Sequence, residues 1–214
     1  MAERLHEHDA VRDVVARLLA TAEGLVDAGG GPGEREAQRP SAGVVFLFSS
    51  LGKGQGTSTI AATVARALAE GGRRTVLAVV GKPNGEPGAP GSVALKDVVD
   101  APQAIRFEQP PLVTIQVPPR FTDLPESAHN PRAWLDGFDV MIIDAPTLTD
   151  SLTRYWAPRV KGVVLVLDGE KIAVGAVVQA REDIERMGGR LVGVVLNRYR
   201  SLIPGFLEPY FIYG

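Results

Sequence analysis

The chain has 214 residues, 45% hydrophobic and 22% charged, with 23 Lys plus Arg against 25 Asp plus Glu for a formal charge of -2. That length and apolar content fit one folded domain, or one domain with a short appendage, and exclude a disordered polyelectrolyte; the near-neutral balance leaves no overall cationic field to gather nucleic acid or anionic lipid. The absence of Cys removes disulfides, thiolate zinc sites and a cysteine nucleophile, and suits a reducing compartment, with the cytoplasm as the default.

The opening residues, MAERLHEHDAVRD, are charged where a signal peptide would need an apolar run, and no stretch nears the ~18 apolar residues of a membrane span. Any membrane role is therefore expected through a partner. Over 9–27, Val11, Val14, Val15, Leu18, Ala22 and Leu25 fall on one stripe of a helix with Asp9 as its N-cap, predicting an amphipathic N-terminal helix within 1–28. Residues 29–42, rich in Gly and Pro, read as a linker, and the main domain spans 43–198. Within it, short apolar runs at 44–48, 75–80, 112–117, 139–143, 162–167 and 191–196 read as strands. Helices are predicted at 58–70, stopped by Gly71-Gly72, and at 173–187, stopped by Gly188-Gly189. Strands apolar on both faces that alternate with helices predict a three-layer α/β fold around a mainly parallel sheet. The Gly- and Pro-rich stretch 81–132 is expected to be largely loop, with at most one short helix at 92–99. An aromatic tail, 199–214, closes the chain.

The first strand runs into SSLGKGQGTST (49–59) and directly into a helix, the setting in which a Gly-rich turn wraps phosphates in backbone N–H groups. A complete loop of this kind, G-x-x-x-x-G-K-[ST], needs a Lys to bridge the phosphates and a hydroxyl for magnesium. Here Ser58 keeps the hydroxyl, Thr57 stands at the Lys position and Leu51 at the first Gly. Such turns also occur in α/β folds without any ligand. FDVMIIDAP (138–146) adds a strand ending in Asp144, the pattern of a carboxylate that holds magnesium through water, although an Asp capping a turn looks the same. GVVLN (193–197) leaves Asn197 at the end of the last strand. His6, His8 and His129 read as surface histidines, and Glu182, Asp183 and Glu185 as a solvated helix face.

With these motifs in place, 43–198 resembles the bacterial tyrosine kinases of capsule and exopolysaccharide synthesis, a branch of the P-loop ATPases related to the Min and Par partition proteins. The family loop reads roughly T-S-x-x-P-G-x-G-K-S-T, and Ser50, Gly54, Gly56, Ser58 and Thr59 match it without a gap. Lys53 replaces its Pro and Thr57 its catalytic Lys. Val80 and Lys82 occupy the two positions of its D-x-D motif. SVALKDVV (92–99) resembles its G-L-S-D-V-L segment, IIDAPTLTD (142–150) its I-I-D-x-P-P segment, and DAVRDVVARL (9–18) weakly echoes an oligomerisation helix.

The resemblance implies a P-loop NTPase-like fold and a nucleotide site at Lys53, Gly54, Gln55, Gly56, Thr57, Ser58, Thr59 and Asn197, with Ser58 and Asp144 as magnesium ligands. It also implies a membrane copolymerase as partner, homo-oligomers, and Tyr210 and Tyr213 as phosphoacceptors, although tail tyrosines also serve as packing residues. A Lys–phosphate contact is a charge-assisted hydrogen bond worth roughly 1.5 to 3 kcal/mol and matters most as charge moves in the transition state. Without it, and without both aspartates, the expectation is weak or absent magnesium-ATP binding and no catalysis. The chain then reads as a cytoplasmic regulator or scaffold of polysaccharide export, reaching the inner face of the membrane through its partner. Two alternatives stand beside it: an active tyrosine kinase in which Lys53 or Lys82 has taken over, and a Min/Par-type ATPase switch, whose signature Lys would fall at Gly52.

Overall fold

The computed structural model describes residues 14–16, 18, 20, 43–81, 92–101, 105, 111–124, 126–134, 137–170 and 174–198. The β-branched and leucine-rich runs become strands β1 (Val44–Ser49), β2 (Thr75–Val80), β3 (Ser92–Ala94), β4 (Leu112–Val117), β5 (Val140–Asp144), β6 (Gly162–Asp168) and β7 (Leu191–Asn197). They form one sheet in the order β3-β4-β2-β5-β1-β6-β7, with every pairing parallel. The helices are α1 (Thr57–Glu70), α2 (Leu95–Asp100), α3 (Ser151–Trp156) and α4 (Val174–Arg186).

The uninterrupted apolar character of the central strands follows from cover on both faces. In β1, Val45 and Leu47 join a core with Trp134, Leu152, Trp156, Ala180 and Ile184 on the α3/α4 side. Phe46 and Phe48 turn the other way, into a core with Ala61, Val64 and Leu68 of α1. The second core also takes in Leu18, 3% exposed, with Val14 and Val15 against it. Part of the predicted N-terminal stripe is therefore docked on the domain's own α1 side. Its Asp9 cap, the linker 29–42 and the tail 199–214 lie outside the described residues.

The helix expected at 92–99 is corrected. Ser92–Ala94 pair with Thr114–Gln116 as a short edge strand, and the helix begins at Leu95. Strand pairing outcompetes helix there because β4 offers a free edge that local sequence cannot reveal. Beyond the predicted strand at 112–117, which is β4, and the one short helix, the stretch 81–132 also holds β3 and single 3-10 turns at Phe121–Asp123, Glu126–His129 and Pro131–Ala133, the last beginning within it and ending just beyond. Helix α3 was not anticipated. Its six residues are too few for a periodic signal, but its N-cap was legible, since Asp150 accepts from the Leu152 N–H at 2.9 Å. The double-glycine stop of α1 behaves as read: Gly71 N–H donates to the Ala67 carbonyl and Gly72 takes φ 81°. Among the described residues no helix is long and apolar enough to cross a membrane.

Candidate phosphate-loop site

β1 lies between β5 and β6, in the register Phe48 to Asp144 and Ser49 to Leu165. Because all three strands run the same way, the loop after β1 and the carboxylates ending β5 and β6 emerge at one edge of the sheet, where α/β folds place ligands. The loop closes on itself: Leu51 N–H donates to Gln55 Oε1 at 3.1 Å, and Ser50 Oγ donates to the Gly52 carbonyl at 3.0 Å. Gly54 and Gly56 have φ of 76° and 87°, a left-handed backbone that glycine adopts without penalty.

At Gly56 the absence of a side chain has a second purpose. A Cβ there would sit 2.0 Å from Asn197 Nδ2, which donates to the Gln55 carbonyl at 2.9 Å. Asn197 thus braces the loop from the end of β7. Helix α1 then starts with no side-chain cap and no acidic residue in its first turn, so its leading N–H groups face the cleft without a carboxylate of their own.

The hydroxyl of Ser58, the second residue of α1, lies close enough to Asp144 to favour its charged form. Asp144 is 6% exposed, and burial pushes its carboxyl up to about 6, with the Ser58 hydroxyl pulling the other way. A hydroxyl and a carboxylate are the hard oxygen donors that magnesium takes together with waters and phosphates. Among the described residues no group of three or more His, Cys, Asp or Glu could hold an ion, so one here would draw most of its ligands from phosphates and water. The surrounding cleft, about 530 Å³, is lined by Lys53, Thr57, Val80, Thr147 and Asp150 as well as the loop glycines.

Of the sequence-selected residues, Lys53, Gly54, Gln55, Gly56, Thr57, Ser58 and Asp144 border this cleft. Asn197 stands behind the loop, and Thr59 is exposed on α1, its carbonyl accepting from Thr63 Oγ1 at 2.8 Å. Thr57 is buried at the first position of α1, and Val80 ends β2 at the cleft wall. Lys82, Tyr210 and Tyr213 lie outside the described residues. His129 is half-buried, its ring edge-on to Tyr155 at 5.9 Å, rather than a free surface histidine. Sequence reading missed Arg198. Its guanidinium reaches the Gly54 carbonyl at 3.2 Å and the buried Asp168 at 3.3 Å, from a backbone φ of 56°. Its position directly after Asn197 was the available signal.

No family model matches the chain, and no curated protein matches it in sequence. Solved structures do match in fold. The kinase domain of VpsO aligns with TM-score 0.55 and 21% identity over 93% of this chain and 98% of its own. The kinase domain of the Escherichia coli tyrosine kinase ETK aligns with TM-score 0.57 and 16% identity over 78% of this chain and 73% of its own. Cobyrinic acid a,c-diamide synthase from Mycobacterium smegmatis, solved with an ATP analogue and magnesium, gives TM-score 0.56 and 22% identity over 75% and 77%. The fold is P-loop NTPase-like, similar to that of these kinase domains and of the synthase.

Proposed function

We propose that this chain is a degenerate member of the bacterial tyrosine kinase branch that has kept the fold and lost phosphoryl transfer. It acts as a regulator or scaffold of exopolysaccharide or capsule biosynthesis and export, docked on the cytoplasmic part of a membrane copolymerase. The carrying observation is Thr57, buried at the first position of α1 where a catalytic loop presents its Lys. Val80 at the cleft wall supports the same reading, because a valine can neither hold a metal nor take a proton. The retained Ser58–Asp144 pair would hold magnesium if a nucleotide brought it, and the ion would there neutralise phosphate charge. With Thr57 in place of the Lys at the start of α1, affinity for magnesium-ATP is weak or absent.

Purified protein incubated with magnesium-ATP is expected to carry no phosphotyrosine by mass spectrometry, and calorimetry is expected to give weak binding or none. Phosphotyrosine, or micromolar affinity, overturns the proposal. One observation favours an active kinase as second reading: Lys53 is exposed and borders the cleft. In that case Lys53→Ala would abolish the phosphotyrosine signal.

A further inference from the structure

Among the described residues, the large apolar side chains left exposed are Val178, Val194 and Leu196, at 55%, 39% and 45%. The sheet register pairs Val194 with Leu165 and Leu196 with Leu167, and in-register partners point to the same face. Leu165 and Leu167 belong to the α3/α4 core, so Val194 and Leu196 lie on the α4 side of the sheet. On α4, Ala180 and Ile184 are buried in that core and Val177 packs against it. Val178, Arg181 and Glu185, spaced i, i+3 and i+7, form the adjoining row. Arg181 and Glu185 line an open groove of about 400 Å³ together with Leu191 and Val194. The three exposed apolar side chains therefore sit on one flank, with β7 as floor and α4 as wall.

Among the described residues this flank is also a sheet edge that no other strand covers. β7 ends the strand order among the described residues, and LVGVVLN contains no charge and no Pro, whereas the opposite edge, β3, is only three residues long. Long apolar edges in soluble proteins are normally shortened, charged or covered. On the wall Arg181 and Glu185 pair with each other at 2.8 Å, and the remaining charged lining residue, Arg190, stands at one end of the groove, before β7 begins.

The chain itself carries a cover of matching chemistry. The described residues end at Arg198, in a left-handed turn conformation at the end of β7. The continuation, YRSLIPGFLEPYFIYG, is dominated by Leu, Ile, Phe and Tyr, with Arg200 and Glu208 its charged residues. At ~3.3 Å per residue β7 spans about 23 Å and residues 199–214 about 50 Å, enough to return along its whole length. We propose that residues 199–214 fold back over the groove between β7 and α4 of the same chain, laying their apolar side chains on Val178, Val194 and Leu196. Direct tethering raises the local concentration of this segment to roughly the millimolar range, which favours it over a second copy. Tyr210 and Tyr213 then belong to a cover for the domain's edge. This proposal is independent of whether the phosphate loop binds nucleotide.

Hydrogen exchange on the full-length chain tests it. In the variant Phe206→Ser/Phe211→Ser, the amides of 191–197 are expected to exchange about tenfold faster than in the parent, equally at low and high protein concentration. Reciprocally, Leu196→Lys is expected to speed exchange in 206–213, a check that survives if the double tail variant folds poorly. Because the chain has no Cys, Val178→Cys/Tyr210→Cys joined by a short bis-maleimide, each thiol adding across one maleimide double bond, is expected to give a product with the mass of one cross-linked chain. Unchanged exchange in β7, protection that appears only as concentration rises, or cross-links solely between two chains would each overturn the proposal, the last two in favour of a second copy on the edge.

Discussion

Asp144 is the residue at which stability and function pull apart. Its carboxyl titrates near 3.8 when unfolded and about 6 when folded, because burial disfavours the charged form. The folded state thus binds the extra proton between those values. Stability from this group is greatest below pH 3.8, falls as pH rises toward 6, and stays reduced above it. The shift corresponds to a cost of about 3 kcal/mol at neutral pH. Asp144→Asn is therefore expected to stabilise the protein by up to that amount at pH 8 in urea denaturation, with the gain shrinking to nothing near pH 4. A destabilised variant at pH 8 would show that the carboxylate has a compensating partner. Gly56 makes the opposite case, a residue chosen for shape. Gly56→Ala combines a left-handed backbone with contact on Asn197, and is expected to lower stability by about 2 kcal/mol or more. Adding Asn197→Ala should return the steric part but not the backbone part, which thermal unfolding of the two variants would separate.

Among the elements, the N-terminal helical residues changed most in meaning between sequence and structure. An apolar stripe on a helix needs a covering surface, which the domain, another copy or a partner protein can supply. Leu18 is buried with Phe46, Phe48 and Leu68, so the domain is one occupied answer. A buried Leu truncated to Ala loses about 2 to 5 kcal/mol in transfer and cavity terms. Leu18→Ala is accordingly expected to lower the denaturation midpoint by an amount in that range, whereas an effect below about 0.5 kcal/mol, typical of exposed sites, would mean that the helix is not part of the fold. Helix α3 is the complementary case. It is short, yet it delivers Trp156 edge-on to Trp134 at 5.6 Å, and the Trp134 indole N–H reaches the Ala128 carbonyl at 2.8 Å. That aromatic pair fills the core on the face opposite α1.

For the whole molecule, the proposed loss of catalysis rests on more than one missing part, and a single repair measures this. Thr57→Lys places a cation at the start of α1 but leaves Val80 at the cleft wall, where a valine can neither hold a metal nor take a proton. It is expected to tighten ATP binding about tenfold or more, the scale of one charge-assisted contact, while giving no phosphotyrosine. Calorimetry and mass spectrometry on the same sample read both outcomes. Phosphotyrosine in this variant would mean that the loop substitution alone silenced an otherwise complete enzyme.

The sequence by itself determined the α/β class, six strand positions, the main helices and the residues of the loop, because burial on both sheet faces and glycine stops are written in local patterns. It also carried Ser58 and Asp144 as a pair, since the motif positions each at the end of an apolar strand or the start of a helix. Only the tertiary structure decided that Ser92–Ala94 pair as a strand rather than open the helix, that Leu18 is covered, and that Arg198 and Asn197 grip the loop from β7. Those facts depend on strand order and register, which set distant residues side by side through contacts that no local window of sequence contains.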